Sequence, residues 1–132
     1  MACPRTSTSS RLTACRIDST RGMVNAAFLS RMKRGAVLVN TARGTLIDEA
    51  ALEAALRSGH LGAAGLDVLR VEPVVQGLSM LELDNLVVTP HVAASTAEGL
   101  QRMAWDSAGN VLDFLAGRVD RDAVVNGEVL KS

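Results

Sequence analysis

Hydrophobic and polar residues fall into blocks whose period changes along the chain, and each block predicts an element. Residues 25–33 read as a short helix that opens at Asn25 and closes on Lys33-Arg34 before Gly35. The uninterrupted run Ala36-Val37-Leu38-Val39-Asn40 follows that turn signal and suits a strand buried on both faces. Asp48 stands where it can cap a helix over residues 49–58, with Leu52, Ala55 and Leu56 on one face and Gly59 as its stop. A second strand is expected over Ala63–Val68. A third, Leu86-Val87-Val88-Thr89, ends at Pro90. Residues 70–85 between them read as a loop with one short helical turn near Leu78–Leu81. The last element is long and spans residues 96–117. Ser95 and Glu98 have the spacing of a capping box, and Leu100, Met103, Ala104, Ala108, Val111, Leu112 and Leu115 form an apolar stripe at helical period. Gly117 closes it, and residues 118–132 make a polar tail with an apolar touch at Val124-Val125.

Ahead of these blocks, residues 1–19 have no readable period. Residues 1–17 are rich in Arg, Ser and Thr and lack any acid, a superficial likeness to an organellar transit peptide. With no apolar face to support that, a disordered or spurious leader is the expectation, and residues 1–22 contain no secretory h-region. The order strand–helix–strand–loop–strand–helix then predicts an α/β fold with a parallel sheet.

Composition narrows the function classes. Hydrophobic residues make up 48% of the chain, enough for a buried core, and no apolar run approaches the ~20 residues of a membrane span. Fourteen basic and fourteen acidic residues cancel, which argues against nucleic acid and against a polybasic membrane-surface role. Two Phe, one Trp and no Tyr leave no stacking platform for single strands. Cys3 and Cys15 read as free thiols of a cytoplasmic protein, since a disulfide between them needs an oxidising compartment. At 132 residues the chain has the length of one small domain.

In an open parallel sheet, ligands bind at the carboxyl ends of the strands. The residues placed there are Thr41, Ala42 and Arg43 after the first strand, Asp67 with Glu72 after the second, and Thr89-Pro90-His91 after the third. One cation, two acids and one imidazole on a single edge suit an anionic substrate and a proton transfer. Each residue also has a plainer reading. Arg43 could pair with Asp48, Asp67 could cap a backbone turn, and Glu72 could be an ordinary loop acid. His60 beside Gly59 reads as a cation at a helix end. Metal binding is disfavoured by Arg43, and no G-x-S-x-G elbow supports serine hydrolysis.

The segments Thr20–Asn25, Met32-Lys33, Leu38–Gly44, Gly65–Val68 with Val71-Glu72-Pro73, and Asn85 through His91 resemble the D-isomer-specific 2-hydroxyacid dehydrogenases. The spacings agree: 24 residues from Arg43 to Asp67, 29 from Arg43 to Glu72 and 19 from Glu72 to His91. The likeness covers about residues 20–126. It implies a partial Rossmann-like, doubly wound sheet of about three strands with flanking helices and a long C-terminal helix. It also implies hydride transfer between NAD, or NADP, and a small 2-oxo acid of the glyoxylate or hydroxypyruvate kind. On that resemblance Arg43 holds the carboxylate, His91 is the acid–base residue, and Glu72 pairs with His91 and favours its imidazolium form. Thr41, Ala42, Arg43, Asp67, His91, Ala93 and Ala94 would line the nicotinamide end of the cofactor. The Glu at position 72 disfavours a formate reaction, and a homodimer is a possible assembly.

Two departures accompany the likeness. The G-x-G-x-x-G fingerprint is absent, because Gly59, Gly62 and Gly65 lie three apart and precede a strand. Residues 1–19 also do not match what should precede Thr20, which suggests a frameshift, a truncated gene or a wrong start. The alternative reading is therefore a catalytically silent fragment that acts at most as a binding or assembly module.

Overall fold

The computed structural model describes residues 9–12, 18–74 and 77–127. Cys3 and Cys15, with their expected free thiols, lie outside the described residues. The chain forms two compact units, Met1–Ala93 and Ala94–Ser132. That division falls inside the 20–117 stretch expected as one part.

The first unit is built on a four-stranded parallel sheet in the order β1-β2-β3-β4, formed by Ser9–Leu12, Ala36–Asn40, Leu61–Leu66 and Leu86–Val88. Three of these are the expected strands. The fourth, β1, lies in the segment expected as a leader. Its residues Ser9–Leu12 pair in register with Val37–Asn40 of β2, so a backbone ladder orders a stretch whose side-chain pattern signals nothing.

Two short helices flank the sheet, α1 (Ala26–Leu29) and α2 (Glu49–Arg57). Asn25 caps α1 by accepting the Phe28 N–H at 3.0 Å. The helix is half the expected length, because after Leu29 the chain tightens into i→i+3 turns, Arg31 to Phe28 and Met32 to Leu29. That tightening buries both Leu29 and Met32. Asp48 caps α2 as expected, its Oδ1 accepting from the N–H groups of Ala50 and Ala51. His60, expected as a helix-end cation, uses Nε2 against the Leu29 carbonyl at 3.0 Å and so ties the end of α1 to the start of β3.

Leu29, Leu52 and Leu56 from the helices meet Ala36, Leu38, Leu61, Ala64 and Leu66 from one face of the sheet, with Met80 closing the cluster. The other face is less covered: Val37 is 36% exposed and Val87 66%. The expectation that β2 is buried on both faces is thus corrected. β3 begins two residues earlier than expected, at Leu61. Gly62 sits at an irregularity in the β2–β3 register, where any Cβ would stand 2.6 Å from the Gly35 carbonyl oxygen. Ser79–Glu82 forms the short 3₁₀ turn expected in the loop before β4.

The second unit holds α3 (Ala97–Leu115) and a 3₁₀ turn over Arg121–Ala123. Thr96, not Ser95, is its cap and accepts the Gly99 N–H at 3.0 Å. The capping-box pairing of Ser95 with Glu98 therefore does not form, since Glu98 falls one position too early in the helix. No residue of α3 is buried, including its whole apolar stripe. No described helix is long and apolar enough to cross a membrane.

Candidate active site

The candidate site residues of the first unit, Thr41, Ala42, Arg43, Asp67, Glu72, His91 and Ala93, follow the ends of β2, β3 and β4. The backbone turn after β2 is set by Asn40, which is fully buried. Its Oδ1 accepts the Ala42 N–H and its Nδ2 donates to the Arg43 carbonyl, both at 3.0 Å. One side chain thus folds Thr41-Ala42-Arg43 into a fixed turn and turns Arg43 outward. The Arg43 guanidinium donates to the Ala42 carbonyl at 2.7 Å, and it forms no ion pair with Asp48 or any other described residue.

Asp67, at the end of β3, is buried and accepts three hydrogen bonds. Oδ1 takes the Thr89 hydroxyl at 2.5 Å and the Val92 N–H at 2.9 Å; Oδ2 takes the Ala93 N–H at 2.9 Å. Burial by itself raises its pKa. The hydrogen bonds from Thr89, Ala93 and Val92, with the field of His91, together outweigh that and hold the carboxyl below its ordinary value. The plainer sequence reading of Asp67, a backbone-turn cap, is thus realised, and the turn it brackets is the one that carries His91. The Asp67 carbonyl adds a fourth tie by accepting the His91 N–H at 2.9 Å.

His91 has φ +56, a left-handed backbone that a non-glycine residue holds only under surrounding constraint. Its Nδ1 lies 2.8 Å from Glu72 Oε2. The other oxygen of Glu72 accepts the Leu69 N–H at 2.9 Å. The His91 hydrogen bond, then that of Leu69, keeps the Glu72 carboxyl below the usual carboxylate range against some desolvation. An ionised carboxylate only accepts, so Nδ1 carries the hydrogen and Nε2 is the nitrogen left for a ligand. The imidazole is half exposed.

Arg43, Glu72 and His91 line one cavity of about 150 Å³, together with Gly44, Thr45, Val68, Leu69 and Arg70. A second, largely apolar cavity of about 450 Å³ shares Glu72 and His91 and is lined further by Asp67, Pro73, Val74, Leu81, Val88 and Thr89. Thr41 and Ala42 are half-buried at the end of β2. Ala94 belongs to the second unit. Asn40 is the site residue that side-chain chemistry alone did not single out. Its signal was available, as an amide at the last position of the β2 run.

A model of the D-isomer specific 2-hydroxyacid dehydrogenase NAD-binding domain matches residues 8–93. The chain belongs to this family. The match begins within the stretch expected as an unmatched leader and takes in β1. Glycerate dehydrogenase of Methylorubrum extorquens is 48% identical over 101 residues, which are 75% of this chain and 32% of the relative. D-3-phosphoglycerate dehydrogenase of Mycobacterium leprae is 47% identical over 112 residues, 84% of this chain and 21% of the relative. Among solved structures, a D-isomer specific 2-hydroxyacid dehydrogenase from Xanthobacter autotrophicus Py2, in complex with NADPH and MES, matches at 40% identity with a TM-score of 0.73. That match covers 84% of this chain and 45% of the other. The chain spans a third or less of the length of these two curated relatives.

Proposed function

We propose that this chain carries the acid–base half of an NAD(P)-dependent 2-hydroxyacid dehydrogenase that interconverts a small 2-oxo acid and its D-2-hydroxy acid. The observation that carries the reading is the 2.8 Å contact between His91 Nδ1 and Glu72 Oε2 in a cavity that Arg43 also lines. Support comes from family membership and from the names of the relatives, which include a glycerate and a phosphoglycerate dehydrogenase.

Arg43 binds the substrate carboxylate through its planar fork, for which no described acid competes. That contact brings the 2-oxo group toward His91. With Nδ1 turned to Glu72, Nε2 gives its proton to the carbonyl oxygen during reduction and takes it back during oxidation. Glu72 holds the ring in one orientation. The edge residues fit the nicotinamide end of a dinucleotide: Thr41 and Ala42 follow β2, and Asp67 follows the adjacent β3. Bound there, the cofactor supplies the hydride.

Nuclear magnetic resonance of the purified chain tests the assignment. Glyoxylate should move the His91 ring resonances, and Arg43→Gln should abolish the movement. Equal shifts in wild type and variant would remove Arg43 from the site.

The missing G-x-G-x-x-G turn favours a second reading, a chain that presents the acid–base pair but turns nothing over alone. Titration with NADH, followed by fluorescence, separates the two. Weak or absent binding is expected; tight, saturable binding would overturn the silent reading.

A further inference from the structure

The 150 Å³ cavity has a second arginine among its lining residues. Arg70 lines it beside Arg43, Glu72 and His91, and its residue is exposed. Neither arginine has an ion-pair partner among the described residues.

The backbone that carries Arg70 is fixed from two sides. Its N–H donates to Glu49 Oε1 at 2.6 Å, which anchors it to the start of α2. Gly44 packs against the Leu69 carbonyl and the Arg70 nitrogen so closely that no Cβ fits. Because Gly44 follows Arg43 directly, that packing holds the turn of Arg43 and the turn of Arg70 against each other. Glu49 and Glu72 are the acids nearby. Glu72 is committed to Leu69 and His91, and Glu49 to the Arg70 N–H. The cavity lining therefore includes one more arginine than a single carboxylate uses.

We propose that Arg70 is a specificity-determining residue of this site. On this proposal the substrate class is a 2-oxo acid with a second anionic group, carboxylate or phosphate, at the end away from its carbonyl. The inference rests on the oxo-acid reading above: Arg43 takes the carboxylate next to the carbonyl, and Arg70 takes the distal anion. Both contacts are charge-assisted, and a guanidinium accepts either a carboxylate or a phosphate in two-point geometry.

The test uses the whole chain and three probes, followed through the His91 ring resonances: glyoxylate, 2-oxoglutarate and 3-phosphohydroxypyruvate. At least one doubly anionic probe should bind about tenfold more tightly than glyoxylate, the scale of one added charge-assisted contact. Which of the two has the advantage identifies the distal group as carboxylate or phosphate. Arg70→Gln should reduce affinity for that probe about tenfold more than for glyoxylate, and Arg70→Lys should restore part of the difference. An exposed side chain whose backbone N–H makes the anchoring bond can be changed in this way without touching the core. Wild type binding all three probes equally overturns the role of Arg70 and leaves the oxo-acid reading in place, as does an Arg70→Gln variant that keeps the preference. Failure of all three probes to move His91 overturns both.

Discussion

Single side chains determine how the His91 imidazole is held. Asp67 makes three side-chain hydrogen bonds in a buried setting, and the three donors, Thr89, Val92 and Ala93, flank His91 on both sides. In Asp67→Asn one oxygen is replaced by a donor that faces another donor. The expected loss is about 1–3 kcal/mol of stability, the usual cost of a buried polar group left unpaired, together with displaced His91 resonances. Urea unfolding and the histidine spectrum check both, and an unchanged midpoint would show that Asp67 does not bracket the turn. Glu72 has a pH signature. Its carboxyl is held below its ordinary value, so the folded state binds its proton less readily than the unfolded chain does. The stabilisation is complete above the ordinary carboxylate pKa of about 4.3 and is lost as pH falls through the lower native value. A carbon-detected titration of the Glu72 carboxyl should therefore place its midpoint below the ordinary value. His91→Ala should move it back up, because His91 is the largest cause of the lowering.

Among the elements, those with local causes were legible. β2 matches its apolar run residue for residue, and the caps Asn25 and Asp48 follow from side chains that reach N–H groups two or three residues on. Elements whose ends depend on distant partners shifted. β3 starts at Leu61 because β2 and the Gly35 carbonyl accept a bulge at Gly62, a contact across 27 residues of chain. β1 escaped a pattern reading altogether, since its existence rests on backbone pairing with β2. The site turns are likewise joined by backbone packing at Gly44. Gly44→Ala should cost about 1–3 kcal/mol, as overpacking does, and should weaken the glyoxylate response of His91 by parting the turns of Arg43 and Arg70. Calorimetry and the same titration measure it; full stability with a normal response would contradict the close packing.

At the scale of the molecule, the two units differ in how their elements are supported. The first has a core of thirteen buried residues among the described ones. The second is dominated by a 19-residue helix with no buried residue, on which Trp105 is 71% and Leu115 75% exposed. A helix of that length without tertiary burial is marginal in water. Amide exchange should therefore be fastest along α3 and slowest at Leu38 and Ala64. Protection along α3 equal to that of β2 would mean that its apolar stripe is covered in solution.

The amino-acid sequence by itself determined the candidate residues and their spacing, Arg43, Glu72 and His91, with the β2 run, the two helix caps and the family likeness. Only the tertiary structure decided that Asp67 brackets the His91 turn, that Asn40 sets the Arg43 turn and that Arg70 lines the same cavity as Arg43. The reason is the parallel sheet. It aligns the carboxyl ends of strands separated by roughly twenty or more residues, so the contacts that finish the site are made between segments whose proximity no local pattern encodes.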